Sequence, residues 1–233
     1  MLILAIDTST EQAGLAVVEA GTPRAEWTWT AAGNHSHHLD PLLRSMLAVE
    51  RIEAGSLEAI VVASGPGSFS GLRVGVSFAK GLALSLGVPL IGIGTLDVIA
   101  FPSLHADGDV LASISAGREQ LYVGHFRGDD GRVVRTQEYA VMLPVEAALL
   151  VERETILAGP GAPVMAEELS RQGRPVRLEP AVWRLRRPGF LAELGSRELA
   201  NGAEDQVHTL EPLYIRRSAA EEKRMATQDR SQV

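Results

Sequence analysis

The chain contains no cysteine. That excludes disulfide staples, thiolate zinc centres and cysteine nucleophiles together. Its N-terminal apolar stretch spans only Leu2 to Ile6, with no basic residue before it. A secretory leader has a longer apolar core, and a membrane span needs about 20 apolar residues, so a cytoplasmic chain with no membrane partner is expected. A cationic excess is missing as well. The formal net charge is −7, which argues against a stand-alone nucleic-acid binder. Two small basic clusters, Arg184, Arg186 and Arg187 and then Arg216 and Arg217, are expected as solvated surface or local salt bridges.

What is present reads as a folded globular chain. Its 233 residues, 45% hydrophobic and 22% charged, suffice for one large domain or two small ones. Residues 2–6 predict a buried strand that stops at Asp7-Thr8-Ser9-Thr10, and residues 14–18 and 24–30 complete an antiparallel meander. Leu39, Leu42, Leu43, Met46 and Leu47 recur at helical spacing, so a helix is expected from Ser36 or Asp40 to Ile52. A strand over 57–63, a helix over 70–86, a strand over 90–93 and a short helix over 95–101 follow. The order βββαβαβα implies a mixed sheet with packed helices. A polar stretch at 105–109 suggests a boundary, giving an N-terminal subdomain 1–107 and a smaller C-terminal subdomain 108–233 with a polar tail. The second half opens with another meander, over 110–114, 121–126 and 132–139, turning at Gly128-Asp129-Asp130-Gly131. Helices are then expected near 144–151, 162–172 and 190–201.

The segment Ser64-Gly-Pro-Gly-Ser-Phe-Ser-Gly-Leu-Arg-Val-Gly75 joins a strand to a helix, a junction whose backbone N–H groups suit an anion. It nevertheless fails three nucleotide and nucleophile patterns. No Lys-Ser/Thr follows its last glycine, Gly65, Gly67 and Gly71 have the wrong dinucleotide spacing, and Ser68 and Ser70 lack flanking glycines at both offsets. In the helix beyond, Gly71, Gly75, Ala79 and Ala83 form a stripe of small residues, with Val74, Phe78, Leu82 and Leu86 beside it. Such a stripe permits close approach of a second element, either the preceding helix of the same chain or a helix of another subunit.

Four segments together resemble the TsaB (YeaZ) family. They are Leu2-Ile-Leu-Ala-Ile-Asp-Thr-Ser-Thr10, His35-Ser36 ahead of Leu39 and Pro41, the glycine-rich segment, and Gly92-Ile-Gly-Thr-Leu96. A weaker match continues through Tyr122 and Pro212-Leu-Tyr-Ile-Arg216. The resemblance implies an α/β, actin-like ATPase (ASKHA, ribonuclease H-like) fold in two related subdomains, the second reduced. It implies a non-catalytic subunit needed for N6-threonylcarbamoyladenosine (t6A) formation at adenosine 37 of tRNAs. The partners it implies are the catalytic paralogue TsaD and the ATPase TsaE, with tRNA reached only through the complex. It also implies a homodimer through the same helices. The interface residues expected from those helices are His35, Leu39, Leu42, Leu43, Met46, Gly71, Leu72, Gly75, Val76, Ala79 and Ala83.

Asp7 and Thr8 stand at the first phosphate loop of actin-like ATPases, and the resemblance implies a vestigial turn there. A working site needs a second acidic loop, but Ser115-Ala116-Gly117 stands where the family commonly has Asp-Ala-Arg. No cofactor is therefore expected in the isolated chain, and nucleotide only in an assembled complex. His35, His37 and His38 lack the i, i+4 spacing of a helical metal pair, so no metal site is expected. Two other readings remain: an ATPase or small-molecule kinase of the same fold, and a metallopeptidase-like protein.

Overall fold

The computed structural model describes residues 1–31, 35–103, 108–129, 132–151 and 154–216. Strands β1 (Leu2–Asp7), β2 (Gln12–Glu19) and β3 (Thr22–Thr30) form the expected meander. Helix α1 (His35–Glu50), strand β4 (Ala59–Gly65), helix α2 (Phe69–Leu86), strand β5 (Leu90–Gly94) and helix α3 (Thr95–Ala100) follow. Together the strands make a five-stranded sheet ordered β3-β2-β1-β4-β5. The second sheet uses β6 (Asp109–Gly117), β7 (Gln120–Asp129), β8 (Arg132–Arg135), β10 (Thr155–Ala158) and β11 (Arg177–Leu178), in the order β11-β10-β6-β7-β8. A short strand β9 (Ala140–Met142) also pairs with β7.

The two sheets share one plan. β1 runs antiparallel to β2 and parallel to β4, and β6 runs antiparallel to β7 and parallel to β10. The edge strand β11 has two residues where β5 has five, so the second copy is reduced. Helices α4 (Pro144–Ala148) and α5 (Ala162–Arg171) serve the second sheet. The expected turn residues Asp130 and Gly131, and residues 105–107 of the polar boundary, lie outside the described residues.

Alternation along β1 explains why it is central. Leu2, Leu4 and Ile6 join α1 and α2 in one core, while Ile3 and Ala5 face the opposite layer. That layer is α6 (Pro188–Ala200), which contributes Leu191 and Ala192. A Cβ on Gly195 would lie 2.6 Å from Val61 Cγ1, so glycine is what lets α6 settle on the sheet. The strands of the first sheet span 2–94 and those of the second 109–178, yet packing crosses between the halves, because the C-terminal helix returns to the first sheet. Residues 205–213 return with it. Asp205 Oδ1 accepts from Leu90 N at 2.9 Å, Gln206 Oε1 accepts from Gly92 N at 3.0 Å, and Leu213 N donates to Ser64 O at 2.7 Å. Side chains thus satisfy backbone donors along the edge of β5, where another strand would otherwise pair.

Helix α2 begins and ends where its sequence dictates. The Ser68 hydroxyl accepts from Gly71 N at 3.3 Å, and Gly87 closes the helix at φ 68°.

A buried polar contact links the halves: the Tyr139 hydroxyl donates to Asp97 of α3, and Arg135 stacks over the Tyr139 ring. Burial pushes the Asp97 carboxyl above its ordinary 3.8, against the pull of the Tyr139 hydrogen bond and the Arg135 charge. Burial first, then the Asp97 charge, also pushes the Tyr139 hydroxyl upward. A carboxyl whose pKa is higher folded than unfolded favours folding in its protonated form. Its contribution is fully present below 3.8 and is lost as pH rises through the raised folded value. Asp97→Asn is therefore expected to gain stability relative to the parent as pH rises from about 4 to about 7. Urea midpoints measured across that window check this, and a pH-independent difference would show that the pair does not titrate there.

Candidate functional site

The loops of the two sheets face each other across a cleft of about 1020 Å³. The first sheet contributes the turn after β1 and the glycine-rich loop after β4. The second contributes the β6–β7 turn and Pro160 beyond β10, and the segment 213–216 runs along the rim. Backbone proximity defines this junction. Ser68 N donates to Ser9 O at 2.7 Å, and the Thr8 hydroxyl donates to Gly71 O at 2.7 Å. A Cβ on Gly67 would stand 3.0 Å from the Ser9 carbonyl carbon and closer still to its oxygen, so only glycine admits this approach.

At Asp7, where the resemblance implies a vestigial phosphate-loop turn, the carboxylate is already engaged. Asp7 is 2% exposed; Oδ1 accepts from Ser9 N at 2.9 Å and from the Ser9 hydroxyl at 2.6 Å. Oδ2 accepts from Arg186 Nε at 2.8 Å. The same guanidinium donates to the Thr10 hydroxyl and to Gln12 O, each at 2.6 Å. Across the cleft, Ser115 is exposed and its hydroxyl accepts from Gly117 N, and among the described residues that the second sheet gives to the cleft lining none is a carboxylate. A divalent cation would have to displace a buried arginine from its counter-ion. These residues do not fit a magnesium nucleotide.

Arg186 is the residue that sequence reasoning misplaced. Grouped with its neighbours as surface charge, it is 2% exposed, because the extended approach to α6 alternates Leu185 out, Arg186 in and Arg187 out. Arg187 does form a surface salt bridge, with Glu26. Arg216 donates to Ala116 O at 3.1 Å, and Arg217 lies outside the described residues. His37 and His38 are exposed, and the His35 side chain lies outside the described set. His125 is buried, its Nδ1 2.7 Å from the Thr136 hydroxyl and its Nε2 3.6 Å from Asp109 Oδ2.

Most of the expected interface residues lie inside the chain rather than on its surface. Leu39, Leu43, Met46, Gly71, Leu72, Gly75, Val76, Ala79 and Ala83 are all buried within the chain, and of the described ones only Leu42 is half-buried. The small-residue stripe packs inward because the Thr8 hydroxyl lies against Gly75, and Ala79 and Ala83 meet α1 and the first sheet. The surface left outside is different: Val49 is 69% and Leu84 57% exposed, with Leu42, Val74, Phe78 and Leu82 half-buried between the helices.

Two sheets of one plan, each opening its β1-type turn onto a shared cleft, define the actin-like ATPase class of α/β proteins. The activator of 2-hydroxyisocaproyl-CoA dehydratase from Clostridium difficile shares this fold at TM-score 0.51 and 8% identity, over 86% of this chain and 96% of that one. The family model described as TsaD, tRNA N6-adenosine threonylcarbamoyltransferase, matches residues 29–192. The tRNA threonylcarbamoyladenosine biosynthesis protein TsaB of Bacillus subtilis is 33% identical, covering 98% of this chain and 100% of that protein. YeaZ from Pseudomonas aeruginosa superposes at TM-score 0.79 and 25% identity, over 91% of this chain and 99% of that one. The chain belongs to the TsaB (YeaZ) family.

Proposed function

We propose that this chain is a non-catalytic subunit in t6A formation at adenosine 37 of tRNAs, docking on and activating the catalytic paralogue TsaD, with the ATPase TsaE as a further partner. The support for the non-catalytic part is the buried Asp7–Arg186 pair, which sets the protein's own cation against the carboxylate expected at the phosphate-loop turn. The family name of the relatives supports the pathway. For docking, the support is the outer surface of α1 and α2, two helices side by side on one face of the first sheet. The same surface serves a homodimer in the absence of TsaD.

Placing glutamate at both Val49 and Leu84 tests this reading. Burying two carboxylates in an apolar interface is expected to weaken TsaD binding by about 30-fold or more, roughly 2 kcal/mol. Val164→Glu on α5, exposed at 48% and far from that face, is expected to leave binding unchanged. Isothermal titration with purified TsaD reads both. Unaltered affinity in the double variant would remove α1 and α2 from the interface.

A further inference from the structure

One feature of the cleft rim is unused by the docking surface. Arg73, exposed on the first turns of α2, lays its guanidinium 3.8 Å from the centroid of the Phe69 ring. Phe69 in turn stacks on Tyr214 with centroids 4.6 Å apart and planes at 39°. Two residues further on, Arg216 crosses to the second sheet and holds Ala116 O. Arg118, on the β6–β7 turn, lines the same opening. The result is a guanidinium–ring–ring stack from Arg73 to Tyr214, with the Arg216 guanidinium two residues further along the chain and on the second sheet. Tyr214 keeps 41% of its surface exposed. Arg73 has no carboxylate partner among the described residues.

The charge of this row runs against that of the chain. The protein carries −7 overall, yet the charged residues lining the cleft are Arg118 and Arg216 against Glu11 alone, and Arg73 adds a third cation at the rim. The exposed Tyr214 ring, backed by Phe69 and flanked by arginines, suits one class of ligand particularly well. A base of an unpaired strand stacks on the exposed Tyr214 ring, and the phosphates on either side meet the guanidinium groups. A peptide or a flat protein surface has no such repeating anionic partner. We infer that the Arg73–Phe69–Tyr214–Arg216 row is a contact surface for a single-stranded or loop segment of RNA. The row begins on α2, beside the proposed docking face, so RNA held there lies next to a bound partner subunit. This rests on the reading of the chain as a tRNA-modification subunit.

The test uses the assembled complex with TsaD and a fluorescently labelled, unmodified tRNA transcript, read by anisotropy at several salt concentrations. Arg73→Gln and Arg216→Gln are each expected to weaken binding about fivefold to tenfold and to lower the salt slope by about 0.7 to 0.9. Tyr214→Ala is expected to weaken binding about fivefold or more with the slope unchanged, and Tyr214→Phe to restore it. Titration with TsaD beforehand shows whether each variant still assembles. Unchanged RNA affinity and slope in all three variants would overturn the inference. Lost assembly with unchanged RNA affinity at saturating TsaD would do the same, and would assign the row to protein docking. If the parent chain fails to assemble with TsaD, the functional reading falls. The row is then judged on the isolated chain with a twelve-nucleotide oligouridine, where equal binding by parent and variants overturns it.

Discussion

Replacing Arg186 by alanine is expected to cost the fold about 3–5 kcal/mol. The reason is the company that Asp7 would be left to keep. Asp7 is 2% exposed, and among the described residues Arg186 is the only cation within salt-bridge distance of its carboxylate. The Ser9 N–H and hydroxyl would remain as donors, but neither carries charge. The Thr10 hydroxyl and the Gln12 carbonyl would each lose their 2.6 Å donor at the same time, keeping their longer mutual contacts. Arg186 also sits two residues before α6 begins, so its loss loosens the element that covers β1 and β2. Urea unfolding measures the cost through the shift in midpoint at constant slope. A double replacement, Asp7→Asn with Arg186→Met, removes both charges while keeping much of the volume. It is expected to recover most of the loss, since breaking a buried pair destabilises far more than replacing it. A single-variant cost under about 1 kcal/mol would mean that water reaches the carboxylate and that the pair does not lock the turn.

That pair also marks where the sequence stops being legible. Local grammar carried far along the first hundred residues. The meander, the helix over 69–86 with Ser68 before it and Gly87 after it, and the strand at 90–94 all follow from spacing and turn residues. Nothing local distinguishes Arg186 from Arg184 or Arg187, because its burial depends on a carboxylate 179 residues away. The edge of β5 poses the same difficulty. Asp205 and Gln206 satisfy backbone groups 115 and 114 residues distant, a pairing that no periodicity announces. The orientation of α2 was open for a related reason. Its small and large stripes are both apolar, so the sequence says that the helix is wrapped on most sides but not which stripe meets the sheet. The answer comes from the turn after β1, whose Thr8 needs room that only the small stripe leaves.

Two glycines of α2 should therefore respond in opposite directions to the same change. Gly81→Ala is expected to stabilise the protein by about 0.5–1 kcal/mol, since alanine is the better helix former and nothing lies within 4 Å of the added methyl. Gly75→Val is expected to destabilise it by about 3 kcal/mol or more, although valine too exceeds glycine in helix propensity. At Gly75 the new Cβ falls inside van der Waals contact of the Thr8 hydroxyl and 3.5 Å from Thr8 Cβ. That hydroxyl cannot simply rotate away, because it donates to Gly71 O at 2.7 Å from a residue 1% exposed. Valine thus forces either overpacking or a buried carbonyl without its donor, and each is worth about 1–3 kcal/mol. Thr8→Ala removes the colliding oxygen. Combined with Gly75→Val, it should cost less than the two single changes added together, a negative coupling that a double-mutant cycle resolves. Thermal or urea unfolding of the four proteins gives the stability terms, and titration with TsaD gives docking separately. If Gly75→Val left stability intact and weakened docking alone, the small stripe would belong to the interface after all. The contact with Thr8 predicts the reverse: a fold that fails first, with docking lost only as its consequence.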